Sequence, residues 1–205
     1  MSNVKMDIFI AQIGLDRIKT AGGGDTQDTN HRLSIWDKDK KLLSNYSEYP
    51  PDVQAPFKLK LFDFYAFKCF SPDGTKFIAA LALGDVMEIF DTKDSIRLRT
   101  TKRFHPIELE LDGNTTRPKF NAIRGFGDLS VTDSHILGIY QGDRHNYWSK
   151  NIAKFDWDGN PLKLYHTEYN LIRIGIDEPS QRIYAITRNK NSEVIIVYFN
   201  LPDHV

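Results

Sequence analysis

Apolar residues along this chain come in short runs, punctuated about every ten residues by Gly, Asn, Asp or Pro. Sustained apolar spacing of three and four, the mark of an amphipathic helix, is absent. Strict alternation occurs instead. Glu108 and Glu110, for example, interleave with Ile107, Leu109 and Leu111, which places carboxylates on one strand face and aliphatics on the other. The pattern predicts an all-β protein.

The same text recurs along it. Trp36-Asp37, Phe90-Asp91 and Phe155-Asp156 each end a strand, pass through a polar turn and restart on Leu42, Ile96 and Leu162. A fourth copy, Phe199-Asn200, stops where the turn should be. Upstream of three copies lies a second element, an apolar strand end, a tight polar turn and a returning strand with small residues. It spans Phe70 to Ala79, Val131 to Gly138 and Ile176 to Ala185. Pro72 and Gly74 suit the backbone angles of such a turn.

Repeats of roughly 40 to 50 residues with four short strands are the signature of β-propeller blades. The longer spacings here are read as two long loops, Thr101 to Phe120 and Gln141 to Lys150. The strands group as three, four, four and three, fourteen in all, within blades at about 4–50, 60–104, 122–168 and 169–201. The first blade has Asp7 to Ile13, Arg32 to Asp37 and Leu42 to Tyr46 but no inner strand. The last has Leu171 to Ile176, Ile183 to Thr187 and Val194 to Phe199 but no outer one. The expectation is a propeller of about four blades with both terminal blades incomplete.

Several stretches resemble the TolB-like six-bladed β-propeller family of bacteria, largely uncharacterised and often exported lipoproteins. The resemblance rests on Gly125 to Asp133, Ile136 to Gly142, Ile152 to Pro161 and the strand Ile183 to Ile186, and covers about Phe64 to Leu201. A six-bladed ring needs about 270 residues, and this chain has 205. The resemblance therefore implies that the chain matches the C-terminal portion of such a propeller. The missing blades would come from an upstream segment or another chain. It also implies the cell envelope if the chain derives from a longer exported lipoprotein, and the cytoplasm otherwise, because no signal peptide is seen at Met1.

Composition narrows the chemistry. With 27 basic and 27 acidic residues the net charge is zero, which gives no general attraction to nucleic acid. The longest strictly apolar run, Phe77 to Leu83, is far too short to span a membrane. The single cysteine, Cys69, precludes an internal disulfide and reads as a packed small residue.

Most motifs that could carry chemistry reduce to structure. Asp156-Trp157-Asp158-Gly159-Asn160 has the acidity of a calcium loop but the wrong spacing, and is read as a hairpin turn. Gly22 to Gly24 is followed by no phosphate-loop lysine and is read within a flexible loop from Leu15 to Asn30. The six histidines show no metal-ligand spacing, and neither a metal nor a cofactor is expected. Glu108 and Glu110 are read as a solvated face.

Two groups are better candidates. Gln141, Asp143, Arg144, His145, Tyr147 and Trp148 combine hydrogen-bonding groups, both charges and two large aromatics in one connection, as a sugar or peptide site does. Lys68, Asp128 and Arg173, on inner strands, and Arg124, just upstream of one, are expected to line the central channel. The reading is a non-catalytic binding module recognising a protein, peptide or glycan through loops at one face. The alternatives are a hydrolase or lyase acting on a carbohydrate or lactone, and a truncated product without independent function.

Overall fold

A computed structural model describes residues 8–11, 33–37, 42–46, 48, 66–82, 84–112, 115–144 and 148–201. The described residues form strands and connections with no helix. A three-stranded antiparallel sheet comes first, from β1 (Ile8–Ala11), β2 (Leu33–Asp37) and β3 (Leu42–Tyr46). A four-stranded meander follows, from β4 (Ala66–Phe70), β5 (Lys76–Leu81), β6 (Val86–Asp91) and β7 (Arg97–Arg103). After a hairpin, β8 (Leu109–Asp112) with β9 (Thr115–Pro118), six strands run in order. They are β10 (Arg124–Val131), β11 (His135–Asp143), β12 (Ser149–Asp156), β13 (Pro161–Asp177), β14 (Arg182–Arg188) and β15 (Val194–Asn200).

Six strands in one sheet conceal two blades. The 17-residue β13 pairs with β12 through its first part, Pro161 to His166 and once more at Leu171, and with β14 through its second, from Leu171 onward. Its first part is thus the outer strand of the third blade and its second the inner strand of the fourth. Divided there, the sheets are blades of three, four, four and three strands among the described residues, as the repeat predicts. Every aromatic-Asp or aromatic-Asn mark ends a third strand: Asp37 closes β2, Asp91 β6, Asp156 β12 and Asn200 β15.

Three details of the sequence reading change. The segment Thr101 to Phe120 is not a plain loop. β7 runs on to Arg103, and β8 pairs with β9 with Asp112 opposite Thr115. Only Gly113 and Asn114 stand between them, a hairpin spacing that favours Gly and Asn. The connection Gln141 to Lys150 is shorter than expected, because β11 extends through Asp143 opposite Arg124, and β12 begins at Ser149. Fourteen strands become fifteen elements, since the extra hairpin adds two and the continuous β13 removes one.

The core lies between blades. Along β5, Phe77 and Ala79 pack toward the first blade with Leu33, while Ile78 and Ala80 pack toward the third with Phe126, Ile136 and Phe155. Along β11, Ile136 faces the second blade, and Leu137 and Ile139 face the fourth with Leu171, Ile183 and Ala185. Period 2 thus explains why the middle strands read as nearly continuous apolar runs: both faces are buried.

The fourth blade differs. Its inner face is covered, but Val194, Ile196 and Tyr198 on the opposite face of β15 are 59%, 72% and 57% exposed. Arg182 of β14 stacks its guanidinium on the Tyr198 ring at 4.8 Å.

Polar side chains also tie blades together. Asp128 and Ser130 of β10 accept hydrogen bonds from the backbone N–H groups of Ile174 (2.9 Å) and Ile176 (3.0 Å) in β13. These side chains stand in for a neighbouring strand along the inner edge of the fourth blade. The Asp156 turn is closed from within: Asp156 Oδ1 accepts from the N–H groups of Asp158 and Asn160, and the buried Trp157 indole donates to Thr132 O at 3.0 Å. Arg99 of β7 reaches Asp158 at 2.6 Å from the neighbouring blade.

Candidate functional site

Trp148 owes its place to Ser149. Ser149 is buried, its hydroxyl donates to the Tyr140 carbonyl, and its backbone lies opposite Leu171. The start of β12 is thereby fixed between β11 and β13, and the preceding residue projects from a rigid frame. Trp148 is 46% exposed.

Its side chain borders two adjoining cavities. One, of about 320 Å³, is lined by Arg124 and Phe126 of β10, Gln141 of β11, Arg173 of β13 and Phe67 of β4, together with Trp148. The other, of about 350 Å³, shares Gln141 and Trp148 and adds Asp143, Asn151, His166 and Asn170. The two groups of residues singled out separately, the β11–β12 connection and the inner strands, therefore meet at one place. Gln141, Trp148, Arg124 and Arg173 converge on the first cavity, and Asp143 lines the second. Side chains from three blades contribute.

Arg173 is exposed and held. Its guanidinium lies over the Phe67 ring at 5.8 Å and donates through Nη1 to Ile172 O at 3.1 Å. A planar cation supported on an aromatic face loses little further freedom when it meets a ligand. Arg124 stands opposite Asp143 across the β10–β11 pair, a favourable cross-strand arrangement.

Other expected members go elsewhere. Arg144 is turned away to Glu108, with Nη1 on Oε2 at 2.7 Å and Nη2 on Oε1 at 3.3 Å, and also donates to Asn121 O. This two-pronged contact holds the Glu108 carboxyl below the usual carboxylate range. It clamps the hairpin segment to the third blade. Asp128 braces Ile174 between strands, and its half-buried position pushes its carboxyl pKa up, against the pull of that N–H. Lys68, on β4 opposite Ala79, and Asp128 are not among the residues lining either cavity. His145 and Tyr147 lie outside the described residues, as do Gly22 to Gly24.

Cys69 is half-buried, donates weakly to Leu129 O at 3.6 Å, and has its thiol pKa pushed up to about 11 by burial and by Asp128. It is a thiol and no thiolate nucleophile at neutral pH.

One cluster escaped the sequence reading. Asp85, fully buried in the β5–β6 turn, lies against His105 Nδ1 and accepts from the Tyr140 hydroxyl at 3.0 Å. Burial pushes its carboxyl pKa up, offset in part by the His105 and Tyr140 contacts. Nothing in the local sequence marks it, because the three residues come from two blades and a linker. It joins the second and third blades and does not line the cavities.

No protein-family model matches the chain, and no curated protein matches it by sequence. Solved structures do. It is similar to Kuenenia stuttgartiensis hydrazine synthase, with TM-score 0.51 and 10% identity over 85% of this chain and 41% of that one. It is similar to Saccharomyces cerevisiae Sqt1, with TM-score 0.50 and 10% identity over 83% and 40%. The β-propeller domain of Cps50 (Swd1) from Myceliophteria thermophila gives TM-score 0.50 and 7% identity over 82% and 46%. The fold is that of a β-propeller. At such identities the likeness reaches the fold and no further. The propeller chain here spans less than half the length of these solved chains.

Proposed function

We propose that this propeller is a non-catalytic binding module, and that its ligand, a peptide or a glycan, enters the paired cavities beside Trp148. One observation carries the reading. An exposed indole, a supported guanidinium and a side-chain amide from separate strands face one concave space between blades. Concave sites with an apolar floor and a few placed polar groups are the usual form of ligand pockets. The test is binding to immobilised peptide and glycan panels by the parent and by Trp148→Ala. The reading expects Trp148→Ala to lose the bound class while melting at the parent temperature. Unchanged binding by that variant contradicts it.

The finer family reading also belongs here. We infer a TolB-like six-bladed type, supported by where its motif residues fall: Gly125 to Val131 on β10, Ile136 to Gly142 on β11, and Ile152 to Asp156 on β12. In that reading the exposed face of β15 is covered by further blades, supplied by an upstream segment or another chain. The exposed Val194, Ile196 and Tyr198 support it, since Met87 and Ile89 on β6 and Ile152 on β12, at equivalent positions of the middle blades, are buried.

A further inference from the structure

The cavity lining is unbalanced in charge. Two guanidinium groups, Arg124 and Arg173, and no carboxylate line the first cavity among the described residues, while Asp128 lies behind the lining within electrostatic reach of Arg173. The second lobe adds Lys150 against the single carboxylate of Asp143, and holds the His166 ring against Asn151 Oδ1 at 2.9 Å. In a chain whose net charge is zero, this local excess of cations is a property of the site and not of the surface at large. A concave, partly apolar wall strengthens such a field, because less water screens it.

The rest of the lining bears on the kind of anion. The Trp148 indole, 46% exposed at the cavities, brings a large apolar aromatic surface, of the kind that packs on the C–H face of a sugar ring. Gln141, Asn151 and Asn170 line the same space. Side-chain amides both donate and accept, and so match hydroxyls that do the same. An extended peptide would instead seek the free edge of a strand. Here β11 and β12 are each paired on both sides within the six-stranded sheet, and the inner edge of the second part of β13 is taken up by the Asp128 and Ser130 side chains. The chemistry on offer is side-chain chemistry: one stacking face, a set of amides and a fork for a carboxylate.

We propose that the cavity takes an acidic oligosaccharide, its ring stacked on Trp148 and its uronate carboxylate held by the Arg173 guanidinium. The inference rests on the reading of this cavity as the binding site and narrows its ligand to one chemical class. Phe67 beneath Arg173 fixes the plane of the fork, and the Ile172 carbonyl holds one Nη in place. A carboxylate approaching from the cavity meets a preset, two-pronged donor.

The experiment is titration calorimetry of the full chain with tetrasaccharides of galacturonate, mannuronate and guluronate, each beside its carboxyl-reduced neutral counterpart. The expected result is binding of at least one uronate, weakened about ten- to hundredfold in the reduced form and weakened further by added salt. Arg173→Gln should erase the preference for the acidic form, and Arg173→Lys should restore part of it. Trp148→Ala should remove binding of both forms.

Equal affinity for acidic and neutral forms overturns the proposal, and so does failure of every uronate to bind. The broader reading survives that failure if a glutamate-rich peptide binds the parent and Trp148→Ala abolishes it. It falls if ligands bind the parent and the Trp148→Ala variant alike.

Discussion

The Tyr140 hydroxyl of the third blade donates a 3.0 Å hydrogen bond to Asp85 Oδ2 in a turn of the second blade. The same carboxylate lies against His105, which follows the second blade's outer strand. A buried acid thus joins two blades and the linker between them. Because Asp85 is fully buried, the free energy at stake is that of a hydrogen bond to a buried acid whose remaining contact at that oxygen is His105. Tyr140→Phe keeps the ring, which packs at 5.6 Å from Phe126, and removes only the donor. It should destabilise the fold by about 1–3 kcal/mol, measured by urea unfolding. A change near zero would mean that water replaces the hydroxyl.

The same acid predicts a pH dependence. Burial raises the folded-state pKa of Asp85 above its unfolded value. Its stabilising contribution is therefore fully present below the unfolded pKa of about 3.9 and is lost as pH rises through the folded value. The stability of the parent minus that of Asp85→Asn should accordingly fall from about pH 4 upward. Urea unfolding of both proteins across that range checks it. A difference that grows with pH would show that His105 holds the acid ionised.

Close approach of the blades at Gly125 gives a third expectation. A Cβ there would lie 2.5 Å from Leu81 O and 2.6 Å from Asp85 Oδ1, and the Gly125 N–H already donates to Ala82 O at 2.8 Å. Backbone atoms cannot step aside cheaply. Gly125→Ala should cost about 1–3 kcal/mol or more, read as a lowered melting temperature. A variant as stable as the parent would mean that the second and third blades slide freely.

The uncovered face of the fourth blade predicts association. Val194, Ile196 and Tyr198 form an apolar row on a strand with one paired neighbour among the described residues, a combination prone to edge and face contacts. Ile196→Lys should reduce concentration-dependent light scattering while shifting stability by less than about 0.5 kcal/mol. Undiminished scattering would place the association elsewhere.

The blade repeat was legible because it is local. An aromatic, an aspartate and a turn lie within a few residues, so Phe90-Asp91 and Phe155-Asp156 declare the ends of β6 and β12 directly. The site was legible in pieces. Gln141 and Trp148 stood out by composition and Arg173 by its inner-strand position, yet only the stacking of blades brings them to one cavity. Arg144 looked equally suitable, and its capture by Glu108, 36 residues away, leaves no trace in sequence. Asp85, His105 and Tyr140 were invisible for the same reason: their contacts join residues 20 and 55 positions apart. The long β7 and β11 were missed because cross-strand partners, not propensity, set where those strands stop.

The central claim is that ligand meets the protein at Trp148, and the chain carries its own control. It has three tryptophans, of which Trp157 is buried between blades while Trp148 stands at the cavities. Fluorine NMR of protein labelled with 5-fluorotryptophan, assigned by Trp148→Phe and titrated with the uronate tetrasaccharides, observes both at once. The account predicts that the Trp148 resonance shifts and saturates while Trp157 stays in place. A stationary Trp148 under conditions where calorimetry records binding would contradict it.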